Sequence, residues 1–145
     1  MDTVDAARRW AAAWKSGWEA LDPEPILELY AQDAVLSTEP FREPYRGRDG
    51  IRTYVERVLS EENDPHVWMA EPIVDGRRAA ISWWASLIEE GAPTTLAGTS
   101  VLVFDDDGLV AEQWDSWNQA GQRVEPRDDI GPFASRSSRD RRAVA

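Results

Sequence analysis

The stretch RAAISWWASLIEEGAPTTLAGTSVLVFDDDGLVAEQWDSWN, residues 78–118, decides the fold. It contains three runs, 78–88, 95–105 and 109–118, in which apolar residues recur at every second position. That is the period of a strand, whose successive side chains point to opposite faces. Glu90-Gly91-Ala92-Pro93 joins the first two runs and Asp107-Gly108 joins the last two. Asp-Gly between alternating runs is a strong signal for a tight hairpin. A further run at 66–74 enters through Asp75-Gly76, so the pattern predicts a four-stranded antiparallel meander.

Upstream of this meander the period changes to that of a helix. Val4, Ala7, Trp10, Trp14, Trp18 and Leu21 recur at three- and four-residue steps, which predicts a helix over about 3–21. Asp22-Pro23 reads as the start of a short second helix with Ile26, Leu29 and Tyr30 inward. A short strand is expected at Ala34-Val35-Leu36, then an irregular stretch from Pro40 to Tyr45. Ile51, Tyr54, Val55, Val58 and Leu59 predict a third helix ending near Ser60, before an acidic loop containing Pro65. Three helices followed by an antiparallel meander make an α+β domain over residues 1–121. Residues 122–145 hold six arginines and four acids without periodicity, which reads as a flexible arginine-rich tail.

Composition narrows the chemistry. The 145 residues suit one domain and include no cysteine and a single histidine, His66. Disulfide scaffolds, thiol nucleophiles, thiolate zinc sites and multi-histidine metal centres are therefore excluded. With 16 basic against 27 acidic residues the formal charge is −11, so nucleic acid is not an expected partner. The apolar runs fall far short of the roughly 18 residues of a membrane span. The acidic N-terminus lacks the basic, apolar pattern of a signal peptide, and the expected location is cytoplasmic. Asp105-Asp106-Asp107-Gly108 lacks the alternating ligands of a calcium loop and reads as a solvated turn.

Alternation along the strands brings out the candidate site. Ile81, Trp83, Ala85 and Leu87 share one face, and Leu109, Ala111, Gln113, Asp115 and Trp117 share one face of the last strand. If that face meets the helices, Asp115 points inward between Gln113 and Trp117. Val67, Met69, Glu71 and Ile73 form another apolar set with one carboxylate in it. A carboxylate in such surroundings must be hydrogen-bonded or take up a proton, the usual preparation for general acid–base chemistry. Asp115 and Glu71 are the candidate catalytic acids. Trp83 and Trp117 are placed to hold a substrate, with Gln113 between them, Trp14 in the helix stripe and Tyr45 in a loop that would rim a pocket. His66 is expected to be exposed. No metal or organic cofactor is implied.

The order of segments is itself recognisable. Helix, LYAQDAV (29–35), PFREPYRGRDGI (40–51) leading into a helix, and a meander ending in DDDGLVAEQWDSWN (105–118) resembles the nuclear-transport-factor-2-like superfamily, in its SnoaL-like group. The resemblance covers about residues 3–120. It implies a cone-shaped curved sheet wrapped on three helices, with a pocket at one end and a catalytic acid on the last strand, matched by Asp115. It also places Asp33 at a fold position. Departures are as informative. SnoaL-type cyclases pair their acid with a histidine, and none stands on the matching strands here. Residues 82–86 read Ser-Trp-Trp-Ala-Ser where limonene-epoxide-hydrolase relatives carry an Arg-x-Asp pair, and the first helix lacks the tyrosine of ketosteroid-isomerase relatives.

Three functions follow as expectations. One is a cofactor-independent isomerase, cyclase or dehydratase acting on an apolar cyclic substrate. A second is a binding module, since carboxylates among tryptophans also suit a cationic or amine ligand. The third is dimerisation through an outer sheet face of Trp84, Trp114, Val101 and Val103, a homodimer being common in the superfamily.

Overall fold

The computed structural model describes residues 1–135. Helix α1 (Thr3–Ala20) opens with Asp2, whose side chain accepts a hydrogen bond from the Asp5 amide at 2.8 Å. It closes where Leu21 turns left-handed (φ 54°) and Asp22 N–H returns to the Gly17 carbonyl. Its buried stripe includes Ala7, Trp10, Ala11 and Trp18, while Val4 is exposed. The short α2 (Glu24–Leu27) buries Ile26 and Leu27, and α3 (Gly47–Ser60) buries Ile51, Val55 and Leu59.

The strands are β1 (Tyr30–Ser37), β2 (Tyr45–Arg46), β3 (Glu62–Met69), β4 (Ile73–Asp75), β5 (Arg78–Glu89), β6 (Ala92–Phe104) and β7 (Val110–Ala120). They form one curved, unclosed sheet in the order β2-β1-β7-β6-β5-β3, with β4 on β5. The β5–β6–β7 meander runs as its periodicity predicts. The sheet as a whole is mixed rather than antiparallel, because β1 lies parallel to β7, pairing Leu36 with Gln113. The run expected at 66–74 is divided. β3 begins at Glu62 and ends at Met69, Ala70 N–H still bonds to the Ser82 carbonyl, and the chain then leaves the sheet before β4. Pro65 does not end β3, since a register shift between Asn63 and His66, with Asp64 at φ 50°, absorbs it on an edge strand.

A second register shift, between Val103 and Phe104, gives β7 one extra residue and turns Val110 inward in place of Leu109 and Ala111. Beyond it Gln113, Asp115 and Trp117 keep the inward face read from the sequence. Gly98 of β6 lies opposite both Trp83 and Trp117; a Cβ there would land on the Ser116 carbonyl oxygen and crowd the Trp117 Cβ and the Trp83 indole.

Residues 122–135 are not the free tail that composition suggests. Arg123 donates to Ser86 Oγ (2.8 Å) and Asp64 Oδ2 (2.8 Å) and to both of their carbonyls. Trp84 Nε1–H donates to the Val124 carbonyl at 2.7 Å, and Phe133 packs edge-on against the Trp84 ring. Part of the outer sheet face expected to be bare is thus covered by the chain's own C-terminal segment; Trp114 remains exposed. Residues 136–145 of the expected tail lie outside the described residues. Among those described, no helix is long and apolar enough to cross a membrane.

Candidate functional site

Between the concave sheet face and the helices lies a cavity of about 210 Å³. That is far more than the roughly 10–15 Å³ one water needs. Trp10, Trp14 and Trp18 of α1 line it on one side, Tyr54 of α3 on another, and Trp83 and Trp117 of the sheet on a third. The indoles form a continuous wall, with ring centroids 5.9 Å apart for Trp10–Trp14, 6.0 Å for Trp14–Trp18 and 5.7 Å for Trp18–Trp83. The helix stripe thus forms one wall of the cavity along Trp10, Trp14 and Trp18.

Asp115 sits at one end of the cavity, held by a network with a fixed direction. Trp14 Nε1–H donates to the Tyr30 hydroxyl (3.1 Å), which donates to Gln113 Oε1 (2.6 Å). Trp10 Nε1–H donates to the same Oε1 (3.1 Å), so the Gln113 amide must turn its N–H toward Asp115 Oδ1 (3.0 Å). Trp83 Nε1–H donates to Ser100 Oγ (3.0 Å), whose own hydrogen goes to Asp115 Oδ1 (2.7 Å). An indole nitrogen can only donate, so the bonds from Trp10, Trp14 and Trp83 cannot reverse, and they leave Gln113 and Ser100 oriented as donors to Asp115. Asp115 Oδ1 receives two donors, and in this arrangement Oδ2 is the oxygen left for a proton. Burial pushes the Asp115 pKa up to about 6, against the pull of Ser100 and Gln113.

The other end of the cavity holds a carboxyl that alternation did not reveal. Glu62 is 4% exposed and accepts Trp18 Nε1–H on Oε1 at 2.6 Å. Burial, followed by repulsion from Glu89 and Glu61, raises its pKa to about 7, while Trp18 pulls the other way. Among the described residues the one fully buried side-chain polar atom without a partner is Arg9 Nε. Asp115 Oδ2, Glu62 Oε2 and the Tyr54 hydroxyl have no hydrogen-bond partner among those residues, and all three residues line the cavity. Burial keeps Tyr54 neutral, and both Asp115 and Glu62 add to that effect, which places the phenol within electrostatic reach of the two ends.

The residues singled out by sequence divide accordingly. Asp115, Gln113, Trp14, Trp83 and Trp117 all line the cavity. Glu71 does not: the chain has left the sheet by that point, and its side chain, 71% exposed, pairs with Arg8 at 2.5 Å. Tyr45 lies one layer out, its ring 4.7 Å from that of Tyr54 and its hydroxyl accepting from Arg57 at 3.0 Å. His66 is exposed, with Nε2 3.3 Å from Asp64; Asp33 is also exposed. Among the described residues no cluster of three or more potential ligands is placed to hold a metal ion.

Comparison with known proteins agrees with this fold. A family model described as the SnoaL-like domain matches residues 7–113. A hypothetical protein with a ketosteroid isomerase-like fold from Catenulispora acidiphila DSM 44928, solved in complex with trimethylamine, superposes with a TM-score of 0.64 at 19% identity, over 72% of this chain and 82% of that one. The epoxide hydrolase/cyclase-like enzyme SalBIII, described for its role in pyran ring formation in polyether salinomycin, superposes with a TM-score of 0.68 at 14% identity, over 81% of this chain and 95% of that one. At these identities the likeness is one of fold. No curated protein matches the sequence.

Proposed function

The chain belongs to the SnoaL-like domain family, and on that premise we propose that it works as a small-molecule acid–base enzyme, with the Asp115 carboxyl giving or taking the proton. The observation that carries this reading is the one-way network behind Asp115. Donors occupy Oδ1, and the oxygen left to exchange a proton faces the cavity. A pKa of about 6 lets a measurable fraction of either protonation state exist near neutral pH.

As a base, Oδ2 removes a proton from a carbon beside a carbonyl, and the C–H electron pair moves toward the carbonyl oxygen. The Tyr54 hydroxyl, which has no internal acceptor among the described residues, is the available donor to that developing oxyanion. Oδ2 then returns the proton to another carbon, which balances an isomerisation. As a neutral acid, the same oxygen protonates a leaving or ring-opening oxygen. The indole walls favour an apolar, cyclic substrate body. The fold's likeness to a cyclase-like enzyme supports chemistry of this kind.

The reading is tested by Asp115→Asn on any substrate that the wild-type chain converts. The amide can accept Ser100 and Gln113 just as Oδ1 does, so the fold is retained while the exchangeable proton is lost. Turnover equal to wild type in the folded variant would remove Asp115 from the mechanism.

A further inference from the structure

We propose that the Glu62 end of the cavity is a binding subsite for an organic ammonium group, so that the substrate carries a cationic nitrogen. This deepens the acid–base reading of the same cavity and rests on it.

The first argument is an unbalanced charge. Almost every buried carboxylate in a protein is paired with a cation or satisfied by several donors. Glu62 is 4% exposed and has one donor, the Trp18 indole, on one oxygen. The charged groups that act on it among the described residues are Glu89, its cross-strand partner, and Glu61, its neighbour in the chain; neither is a cation. Its second oxygen opens onto the cavity without a partner. Of the guanidiniums at the cavity rim, Arg57 donates to Tyr45 and lies over the Tyr45 and Tyr54 rings at 6.0 and 5.8 Å, and Arg42 pairs with Glu39 at 3.8 Å. Neither supplies the missing charge.

The second argument, independent of the acids, is the shape of the wall. Trp18 stands edge-on to Trp14 (72°) and tilted against Trp83 (60°), so indoles converge on this end from a helix and from the sheet. Aromatic faces carry negative potential and attract cations, most of all when water is excluded. A neutral occupant would use the indoles and leave the carboxylate unmatched. An anion would be opposed by Glu61, Glu62 and Glu89 together. An ammonium group satisfies both the rings and the charge.

The test uses the intact chain and two shape-matched pairs of probes: choline against 3,3-dimethylbutan-1-ol, and cyclohexylamine against cyclohexanol. Binding is read from the indole N–H resonances, among which Trp18, bonded to Glu62, reports this end. The cationic member of a pair is expected to bind at least about tenfold more tightly than its neutral counterpart, the scale of a well-placed cation against rings and a carboxylate. Glu62→Gln should remove that preference, and Asp115→Asn should keep it. Equal binding within both pairs, no binding by either cation, or an undiminished preference in folded Glu62→Gln would overturn the subsite. None of these results touches the Asp115 reading, which stands or falls on turnover in Asp115→Asn.

Discussion

Asp115, half-buried, and Glu62, buried, are both carboxyls with raised proton affinity, yet the cavity treats them differently. At Asp115 two donors converge on one oxygen, each aimed by an indole further back. At Glu62 a single indole donates, and two carboxylates press from beside it. The Asp115 end fixes the direction of a proton; the Glu62 end concentrates uncompensated negative potential. Burial can raise both pKa values, but the donors around a group determine what it can do with its proton.

The largest expected effect breaks the comparison at Asp115. Asp115→Asn should lower kcat by about 10²–10⁴, the usual worth of a general acid or base, with KM little changed. Glu62→Gln on the same substrate should mainly raise KM, by roughly tenfold if it holds a cation. Similar kcat losses in the two variants would erase the distinction between the ends.

Next comes the wiring itself. Gln113→Leu strands the Trp10 N–H and the Tyr30 hydroxyl, both of which now meet Gln113 Oε1. Each buried unsatisfied group costs about 1–3 kcal/mol, so urea unfolding should show a loss of about 3 kcal/mol.

A somewhat smaller effect depends on pH. Folded-state values of about 6 for Asp115 and about 7 for Glu62 lie above the ordinary carboxyl range. The folded chain therefore binds these protons more tightly than the unfolded one. The stability this gives is complete below about pH 4 and is lost as pH rises through 6 and then 7. Glu62→Gln should leave stability nearly unchanged near pH 4 and raise it by about 3 kcal/mol near pH 8, since each tenfold gain in proton affinity on folding is worth about 1.4 kcal/mol. Asp115→Asn should show the same rise about one pH unit lower. Thermal unfolding across pH reads both, and coincident curves would contradict the separate environments.

The smallest effect is at Arg123. Its four hydrogen bonds, two to Asp64 and two to Ser86, tie the irregular stretch of β3 beside Glu62 to β5 on the sheet face opposite the Asp115 network. Arg123→Ala should cost about 1 kcal/mol in denaturant unfolding, given the exposed partner carboxylate. It should move the pH midpoint of the Trp18 indole resonance and leave that of Trp10 in place.

Asp115 is legible because β7 alternates without interruption from Gln113 to Trp117. Glu62 is not, since Glu61-Glu62-Asn63-Asp64-Pro65 has the composition of a loop and the register shift breaks the alternation that would have marked an inward side chain. Glu71 misleads for the complementary reason: period two carries on past Met69, where the chain leaves the sheet ahead of Pro72. Tyr54 is recognisable as inward, but helical spacing gives no sign of whether an inward hydroxyl finds a partner. Nor does any local pattern encode the pairing of β1 beside β7, which brings together residues some eighty positions apart.

The one-way hydrogen bonding has a consequence for hydrogen isotopes. As arranged, both bonds behind Asp115 run toward it, so the carboxyl's route to water is through the cavity. An occupant that fills the cavity closes that route. If Asp115 works as proposed, deuterium lifted from one carbon should stay on Oδ2 until it is returned to another, and product should carry the substrate's own label instead of one drawn from solvent.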